Sequence, residues 1–329
     1  MTGKKNSAGG RPAGRRLQLP VIKSARGYRL YGEDGRRYVD FFQNNGYAMG
    51  GHRPADALQA LKSSAARGLW AEYPSRWQAK VERLMVQLLP FVDRVFLYPH
   101  MGAALADASA GLGAPVRLQE TPIGFHSRRE NPAAGDAVSI MRWRPFALDP
   151  VQEEALAAGE YGELCIPLIP FPGSFLPVPL CRIRGGRFEP GSVSGRRAAS
   201  AAGPERQESP ERQESPERQE SPETFGGFPE ISPVLCALMI KSIAQTRKMI
   251  AECDAERWRE FDLPGLQRTG PYLHFRIDGE GYAELYSWML EEGILLPPGR
   301  DIPAIIPADY NPGDVKPLLH ALRRLYGDG

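Results

Sequence analysis

The chain has 329 residues, of which 42% are apolar and 24% charged, a composition typical of a globular protein of about two domains. Its 41 basic and 39 acidic residues leave a net charge of +2, so no strong field for nucleic acid or an anionic membrane follows. The sequence has no run of 18 apolar residues and no apolar segment of a secretory signal, so we expect neither a membrane span nor export.

The N-terminal residues 1–19 are predicted to be a disordered basic tail. Five basic and no acidic residues lie in the first 16 positions, with no apolar face beside them. An organelle transit peptide and a nucleic-acid arm are the alternatives. Four cysteines (Cys165, Cys181, Cys236 and Cys253) form no CxxC pair, which predicts free thiols in a reducing cytoplasm and no metal site.

The first ordered elements are predicted from residue 20 onward. Tyr28–Tyr31 and Arg36–Phe41 read as two strands joined by a turn at Asp34-Gly35, where glycine supplies a positive φ. Apolar residues between Trp77 and Leu89 recur at helical spacing, and Pro90 ends that helix. A short buried strand is then expected at residues 95–98.

The middle of the chain carries two irregular segments. Residues 164–180 are apolar but contain five prolines, so they cannot form one central strand. Residues 204–221 are three copies of PERQES, which contain no apolar residue and are predicted to be a flexible surface insert. A regulatory linker and a protein-binding site are the alternatives for this repeat.

The last third is predicted to be α/β or α+β. Ser232 and Pro233 should cap and begin a helix. Leu273, Phe275 and Ile277 alternate with polar residues as in a strand. A second helical stripe over residues 282–290 should stop at Gly293, and Asp314 should cap a final helix.

The order of several short motifs resembles the class III PLP-dependent aminotransferases, including the glutamate-1-semialdehyde aminomutases. The motifs are Gly27-Tyr28, Asp34-Gly35, Tyr38-Val39-Asp40-Phe41, Gly51-His52, Asp93-Arg94-Val95-Phe96 and Thr224-Phe225-Gly226-Gly227. The resemblance covers about residues 20–102 and 224–329. It implies an α/β, fold-type-I-like architecture with a reduced large domain and an α+β small domain.

On this resemblance the chain divides into five parts. They are a tail (1–19), a segment joining the small domain (20–75), a shortened large domain (76–195), the repeat insert (196–223), and a helix with the small domain (224–329).

The resemblance implies pyridoxal 5'-phosphate (PLP) as cofactor and a homodimer as the assembly. By order along the chain, the aromatic Phe125 would stack on the cofactor ring beside His126, and Thr224 would reach the cofactor phosphate across the dimer interface. A core phenylalanine and a loop threonine are the alternatives. The pattern assigns no catalytic residue and no metal.

Three groups that such chemistry needs are missing from the pattern. No lysine lies between Lys80 and Lys241, although a lysine must form the Schiff base. No Asp-Glu dipeptide occurs, and the nearest acids by order, Asp136 and Asp149, are expected at the surface or at caps. Residues 99–103 (PHMGA) have lost the hydroxyls of a phosphate loop.

Two functions therefore remain open. One is a divergent class III aminotransferase-like protein with an impaired or lost catalytic site, acting on a small amino or keto compound if active. The other is a non-catalytic binding or scaffold relative that pairs with itself or with a true aminotransferase. Signals for an unrelated nucleic-acid module are absent from the sequence.

Overall fold

A five-stranded sheet organises the middle third of the protein. The computed structural model describes residues 17–120, 137–171, 173, 175–190 and 231–326. The sheet has the order β4-β8-β7-β6-β5. Its strands are β4 (Val92–Tyr98), β5 (Val116–Glu120), β6 (Val138–Arg142), β7 (Leu164–Cys165) and β8 (Val178–Ile183). Strands β5, β6 and β7 are parallel, and β8 runs antiparallel to both β7 and β4. Four strands therefore point the same way, and β8 opposes them.

Helices cover both faces of this sheet. They are α1 (Ala55–Ala65), α2 (Arg76–Leu88), α3 (Met101–Leu112), α4 (Pro150–Ala157) and α5 (Pro233–Ala251). On one face Val81 and Met85 of α2 pack with Met239 and Ile243 of α5. On the other face Ala104 and Ala108 of α3 pack against strand side chains. This layering confirms the predicted α/β class.

A second core joins the N-terminal hairpin to the C-terminal third. Two small sheets take part, with the orders β1-β2-β3-β11 and β12-β10-β9. Their elements are β1 (Ile22–Arg26), β2 (Arg29–Gly32), β3 (Arg37–Asp40), β9 (Leu266–Thr269), β10 (Tyr272–Phe275), β11 (Ile294–Leu295) and β12 (Ala304–Ile305), with α6 (Gly279–Glu291) and α7 (Pro312–Tyr326). Phe41 is completely buried here, against Phe261 at a ring distance of 6.2 Å.

Several local predictions are confirmed. β2 and β3 pair antiparallel around Gly35, whose φ is 79°. Helix α2 ends two residues before Pro90, and α6 is followed by Gly293 at φ 79°. The four cysteines are free thiols. Ser232 precedes α5 as expected, but its hydroxyl donates to the carbonyl of Leu69 at 3.5 Å rather than capping the helix.

The proline-rich stretch forms two strands that part from each other. Leu164 pairs with Arg182 and Cys165 with Cys181. Continuing this register places Pro167 opposite Pro179, and neither has an N–H to donate. The ladder between β7 and β8 therefore ends after Cys165, as the prediction of no single central strand required.

The predicted cap at Asp314 is wrong. Helix α7 begins two residues earlier, at Pro312, so Asp314 lies within its first turn. Its carboxylate accepts from the Tyr28 hydroxyl at 2.9 Å and from the Arg29 guanidinium at 2.5 Å. Burial alone would raise the pKa of Asp314, but the hydrogen bonds from Arg29 and Tyr28 outweigh it and lower that pKa. A long-range anchor has replaced the local cap.

We expect Asp314→Asn to lower the free energy of unfolding by about 1.5 kcal/mol at pH 7, because hydrogen bonds to a charged group are lost. The pKa of Asp314 in the folded state lies below its ordinary 3.8, so its stabilisation is present above that pH. The difference between variant and parent should shrink as the pH falls through the folded-state pKa. Urea unfolding of the variant and the parent at several pH values measures this difference in the free energy of unfolding.

Asp301→Asn is the matched control because the Asp301 side chain is 93% exposed. It should change the free energy of unfolding by less than about 0.5 kcal/mol. An equal loss in both variants would contradict a specific anchor at Asp314.

Candidate functional site

The carboxyl ends of the parallel strands meet along one edge of the five-stranded sheet. Ligands of open α/β sheets bind in the crevice outside these ends. Here β4 ends at Tyr98, β5 at Glu120 and β6 at Arg142, and the chain after β7 continues to Leu168. Leu168 still donates its N–H to the carbonyl of Trp143 at 2.8 Å, which keeps β7 alongside β6. This edge is the candidate functional site.

Two arginines dominate the charge of the crevice. The side chain of Arg144 is 2% exposed and donates to Glu120 Oε2 from Nε at 3.0 Å and from Nη2 at 2.8 Å. Arg142 donates to the Tyr47 hydroxyl at 2.5 Å, and its Nη1 lies 3.6 Å from Glu120 Oε1. Glu120 therefore holds both cations, and the crevice carries an internal ion-pair network.

A left-handed turn closes over this network. Gln43, Asn44 and Asn45 have φ of 44°, 47° and 56°, a conformation that costs about 1–2 kcal/mol for each L-residue. Arg144 holds the turn by donating to the Asn45 carbonyl at 2.8 Å and to its side-chain oxygen at 3.2 Å. At Gly46, φ is 94°, and a Cβ would lie 3.1 Å from Arg144 Nη1. The turn and the arginine are thus fitted to each other.

In the loop between β4 and α3, the His100 side chain occupies the N-terminal end of the helix. His100 Nδ1 accepts from the Ala103 amide at 3.1 Å, so the imidazole caps α3. Two residues before His100, the Tyr98 hydroxyl donates to the Asp107 carboxylate. Burial is the main cause that raises the pKa of Tyr98, and the hydrogen bond to Asp107 raises it further. An anion at this helix end would compete with His100 for the Ala103 amide.

The crevice itself is small and mostly apolar. It holds a cavity of about 50 Å³. Its lining includes Tyr47, Arg142, Leu168 and, from the parted strands, Pro167 and Pro179. Polar contact to a ligand could come from the Arg142 guanidinium and the Tyr47 hydroxyl. A cavity of this size admits one or two waters.

The three residues predicted to bind the cofactor lie outside the described residues. These are Phe125, His126 and Thr224, and their roles stay predictions. Asp136 also lies outside. Asp149 caps α4, accepting from the Gln152 amide at 2.8 Å, which confirms the expected cap. Lys80, Lys241 and Lys248 are all exposed on α2 and α5, and none lines the cavity.

Sequence reasoning missed Tyr47, Arg142, Arg144 and the turn at residues 43–45. One signal was available: two arginines flank Trp143 at the end of an apolar run, where charges need partners. The run Gln-Asn-Asn-Gly is also rich in residues that tolerate the left-handed region.

Neither a metal centre nor a membrane span is found among the described residues. Across the described ranges, His, Cys, Asp and Glu nowhere gather in threes as a metal would need. None of the described helices is long and apolar enough to cross a membrane.

Comparison with solved structures identifies the fold. Ornithine δ-aminotransferase of Plasmodium falciparum is similar at a TM-score of 0.57 and 11% identity, with 94% of each chain covered. An ω-transaminase of Sphaerobacter thermophilus has a TM-score of 0.55 and 16% identity, over 94% of this chain and 91% of that one. A further match, at a TM-score of 0.58 and 14% identity over 97% of this chain and 93% of that one, is a transaminase with PLP bound.

Curated sequences of aminomutases are also similar to this chain, over a shorter span. Glutamate-1-semialdehyde 2,1-aminomutase of Herminiimonas arsenicoxydans is 32% identical over 104 residues, which is 32% of this chain and 24% of that protein. The chain has the fold of these aminotransferases and, over about a third of its length, is similar in sequence to a glutamate-1-semialdehyde 2,1-aminomutase.

The chain aligns with only part of these curated proteins. The aligned segment of the same enzyme from Clostridium botulinum is 79 residues, 32% identical, covering 24% of this chain and 18% of that protein. No protein-family model matches the chain. Its relation to the aminotransferases therefore rests on the fold and on about a third of the sequence.

Proposed function

We propose that this chain is a non-catalytic relative of the class III aminotransferases, which uses the retained fold as a binding or scaffold protein. The observation that carries the proposal is the crevice, whose described residues do not fit a PLP cofactor. Bound PLP supplies an electron sink to such enzymes.

The first misfit is the nucleophile. A Schiff-base lysine must reach the cofactor, yet no lysine occurs between Lys80 and Lys241. Lys80 and Lys241 themselves are exposed on helices. The cationic group that lines the crevice is the guanidinium of Arg142, which is not an amine nucleophile.

The second misfit is that the crevice offers few polar groups to a cofactor ring and phosphate. The chain after β7 presents Leu168 and Ile169 to the cavity. Among the described residues no carboxylate lines the cavity, and Glu120 beside it is paired with Arg142 and Arg144. The Ala103 amide is taken by His100. A cavity of about 50 Å³ is also far below the 300 Å³ or more of usual ligand pockets.

Borohydride trapping tests the proposal. The full chain is purified with added PLP, reduced, and digested for mass spectrometry, with a true aminotransferase treated in parallel. We expect no visible absorbance band, no thermal shift with PLP, and only scattered adducts on exposed lysines. An adduct that saturates at one per chain, and that one Lys→Arg substitution abolishes, would establish a retained cofactor site and contradict the proposal.

We extend the proposal to the assembly, as a homodimer or a pair with a true aminotransferase. Its support is the resemblance, in which Thr224 reaches across a dimer interface. Light scattering of the purified chain measures the assembly, and a monomer that also fails to bind a true aminotransferase would contradict this part.

A further inference from the structure

Helix α2 presents a basic and aromatic surface to solvent. Arg76, Lys80 and Arg83 are exposed and, at a spacing of four and three residues, share one face of the helix. With Trp77 they line an open groove of about 440 Å³. Just before the helix, Trp70 is 62% exposed and Tyr73 is 71% exposed. We call these six residues the α2 patch.

The cations of the α2 patch lack carboxylate partners within the described ranges. Arg76, Lys80 and Arg83 form no ion pair there, and the Arg76 guanidinium lies over the Trp77 ring at 5.7 Å. The neighbouring acids are the exposed Glu72 and the half-buried Glu82. Large exposed aromatic groups beside unpaired cations mark an interaction surface.

The chain itself brings an acidic segment to this surface. Described structure resumes at Ile231, and the Ser232 hydroxyl bonds to the Leu69 carbonyl, next to Trp70. The PERQES repeat ends at Ser221, and only nine residues separate it from Ile231. Nine extended residues span up to about 30 Å, whereas Arg76 and Arg83 are about 10 Å apart along the helix axis. Because Arg76 follows Trp70 by only six residues, the start of the patch lies within that span, and the 18-residue repeat is long enough to cover the remainder.

The spacing of charges in the repeat matches a partner of this kind. Glutamate recurs at every third position, at residues 205, 208, 211, 214, 217, 220 and 223. A polyproline II helix has three residues per turn, so in that conformation all seven glutamates share one edge while the repeat arginines fall on another. Proline at every sixth position favours that conformation.

We propose that the α2 patch is the docking surface for the PERQES repeat of the same chain. Successive glutamates in a polyproline II segment are about 9 Å apart, close to the axial separation of Arg76 and Arg83. The prolines lie on a third edge, where they can pack on Trp70, Tyr73 and Trp77, as proline-rich segments do in aromatic-lined grooves. Each repeat carries two glutamates and one arginine, so the charges are complementary.

Zero-length carbodiimide cross-linking of the full chain tests this. The reagent joins a lysine amine to a glutamate carboxylate only where the two touch, and peptide mapping locates the bond. We expect Lys80 to cross-link to glutamates of residues 204–223, and the exposed Lys316 of α7 not to do so. About 0.5 M NaCl should suppress the product because it screens exposed charges.

Two double variants sharpen the test. R76Q/R83Q keeps Lys80 and should lower the cross-link yield about fivefold, because two exposed ion pairs are lost. The control K316Q/R323Q removes two exposed cations from α7 and should leave the yield unchanged. Equal yields in the two variants, or no preference for Lys80, would overturn the proposal.

Mixed isotopes decide the occupant. When heavy and light chains are mixed, the proposal expects products within one chain, at a yield independent of protein concentration. Products joining heavy to light chains would instead assign the patch to a second copy. If co-purified single-stranded nucleic acid protects Lys80 and nuclease treatment removes that protection, the patch is assigned to nucleic acid. Either of these two results overturns docking of the repeat in the same chain.

Discussion

Phe41→Ala is expected to lower the free energy of unfolding by about 4 kcal/mol, the usual cost of emptying a fully buried aromatic site. Phe41 lies where the two small sheets meet. Its ring packs against Phe261, its N–H donates to the Leu295 carbonyl at 2.9 Å, and its own carbonyl accepts from Ile305 at 2.6 Å. These backbone bonds fix the ring position, so the core cannot easily collapse into the void.

Urea unfolding monitored by circular dichroism measures this loss. Phe175→Ala is the matched control, because the same atoms are removed from a ring that is 56% exposed. We expect the control to change the free energy of unfolding by less than about 1 kcal/mol. A similar loss in both variants would show that Phe41 does not hold the two sheets together.

Arg144→Met is expected to cost about 3 kcal/mol of folding free energy. Methionine fills much of the volume but leaves the Asn45 carbonyl without its charged donor. The left-handed turn at residues 43–45 then keeps its backbone strain and loses the contact that opposes it. Glu120 is 52% exposed and regains water, which keeps the loss below that of a fully buried pair.

Hydrogen exchange separates this cause from a general loss of stability. Amides of residues 43–47 should exchange faster in Arg144→Met under native conditions than those of the neighbouring strands. The exposed Arg184 serves as control, and Arg184→Met should leave both stability and exchange within error. Unchanged exchange at residues 43–47 would mean that Arg144 does not hold the turn.

Local chemistry made much of the fold predictable. Asp34-Gly35, Pro90 and Gly293 act through their own backbone preferences, so the hairpin and the ends of two helices follow from the sequence. Asp314 was misread because an acid near a helix start usually serves as a cap, and nothing local reveals that Tyr28 and Arg29 lie beside it. Contacts across nearly 290 residues leave no periodic signal.

The candidate site was less predictable for the same reason. Sequence reasoning looked for the groups that the resemblance demands and could register their absence, as with the lysine missing between Lys80 and Lys241. It could not see that Arg142 and Arg144, at the end of β6, pair with Glu120, because Glu120 ends a different strand, β5. The pairing of β7 with β8 was hidden too, since Pro167 closely follows β7 and Pro179 lies within β8.

The opposed prolines at positions 167 and 179 make it difficult to build a cofactor-binding surface in this crevice by single substitutions. A lysine engineered into the cavity would face a wall that offers no backbone N–H at either position. Building a phosphate- or ring-binding surface there would require the strands to close and the prolines to be replaced together. For a protein engineer this edge of the sheet is a backbone problem first, and a side-chain problem only afterwards.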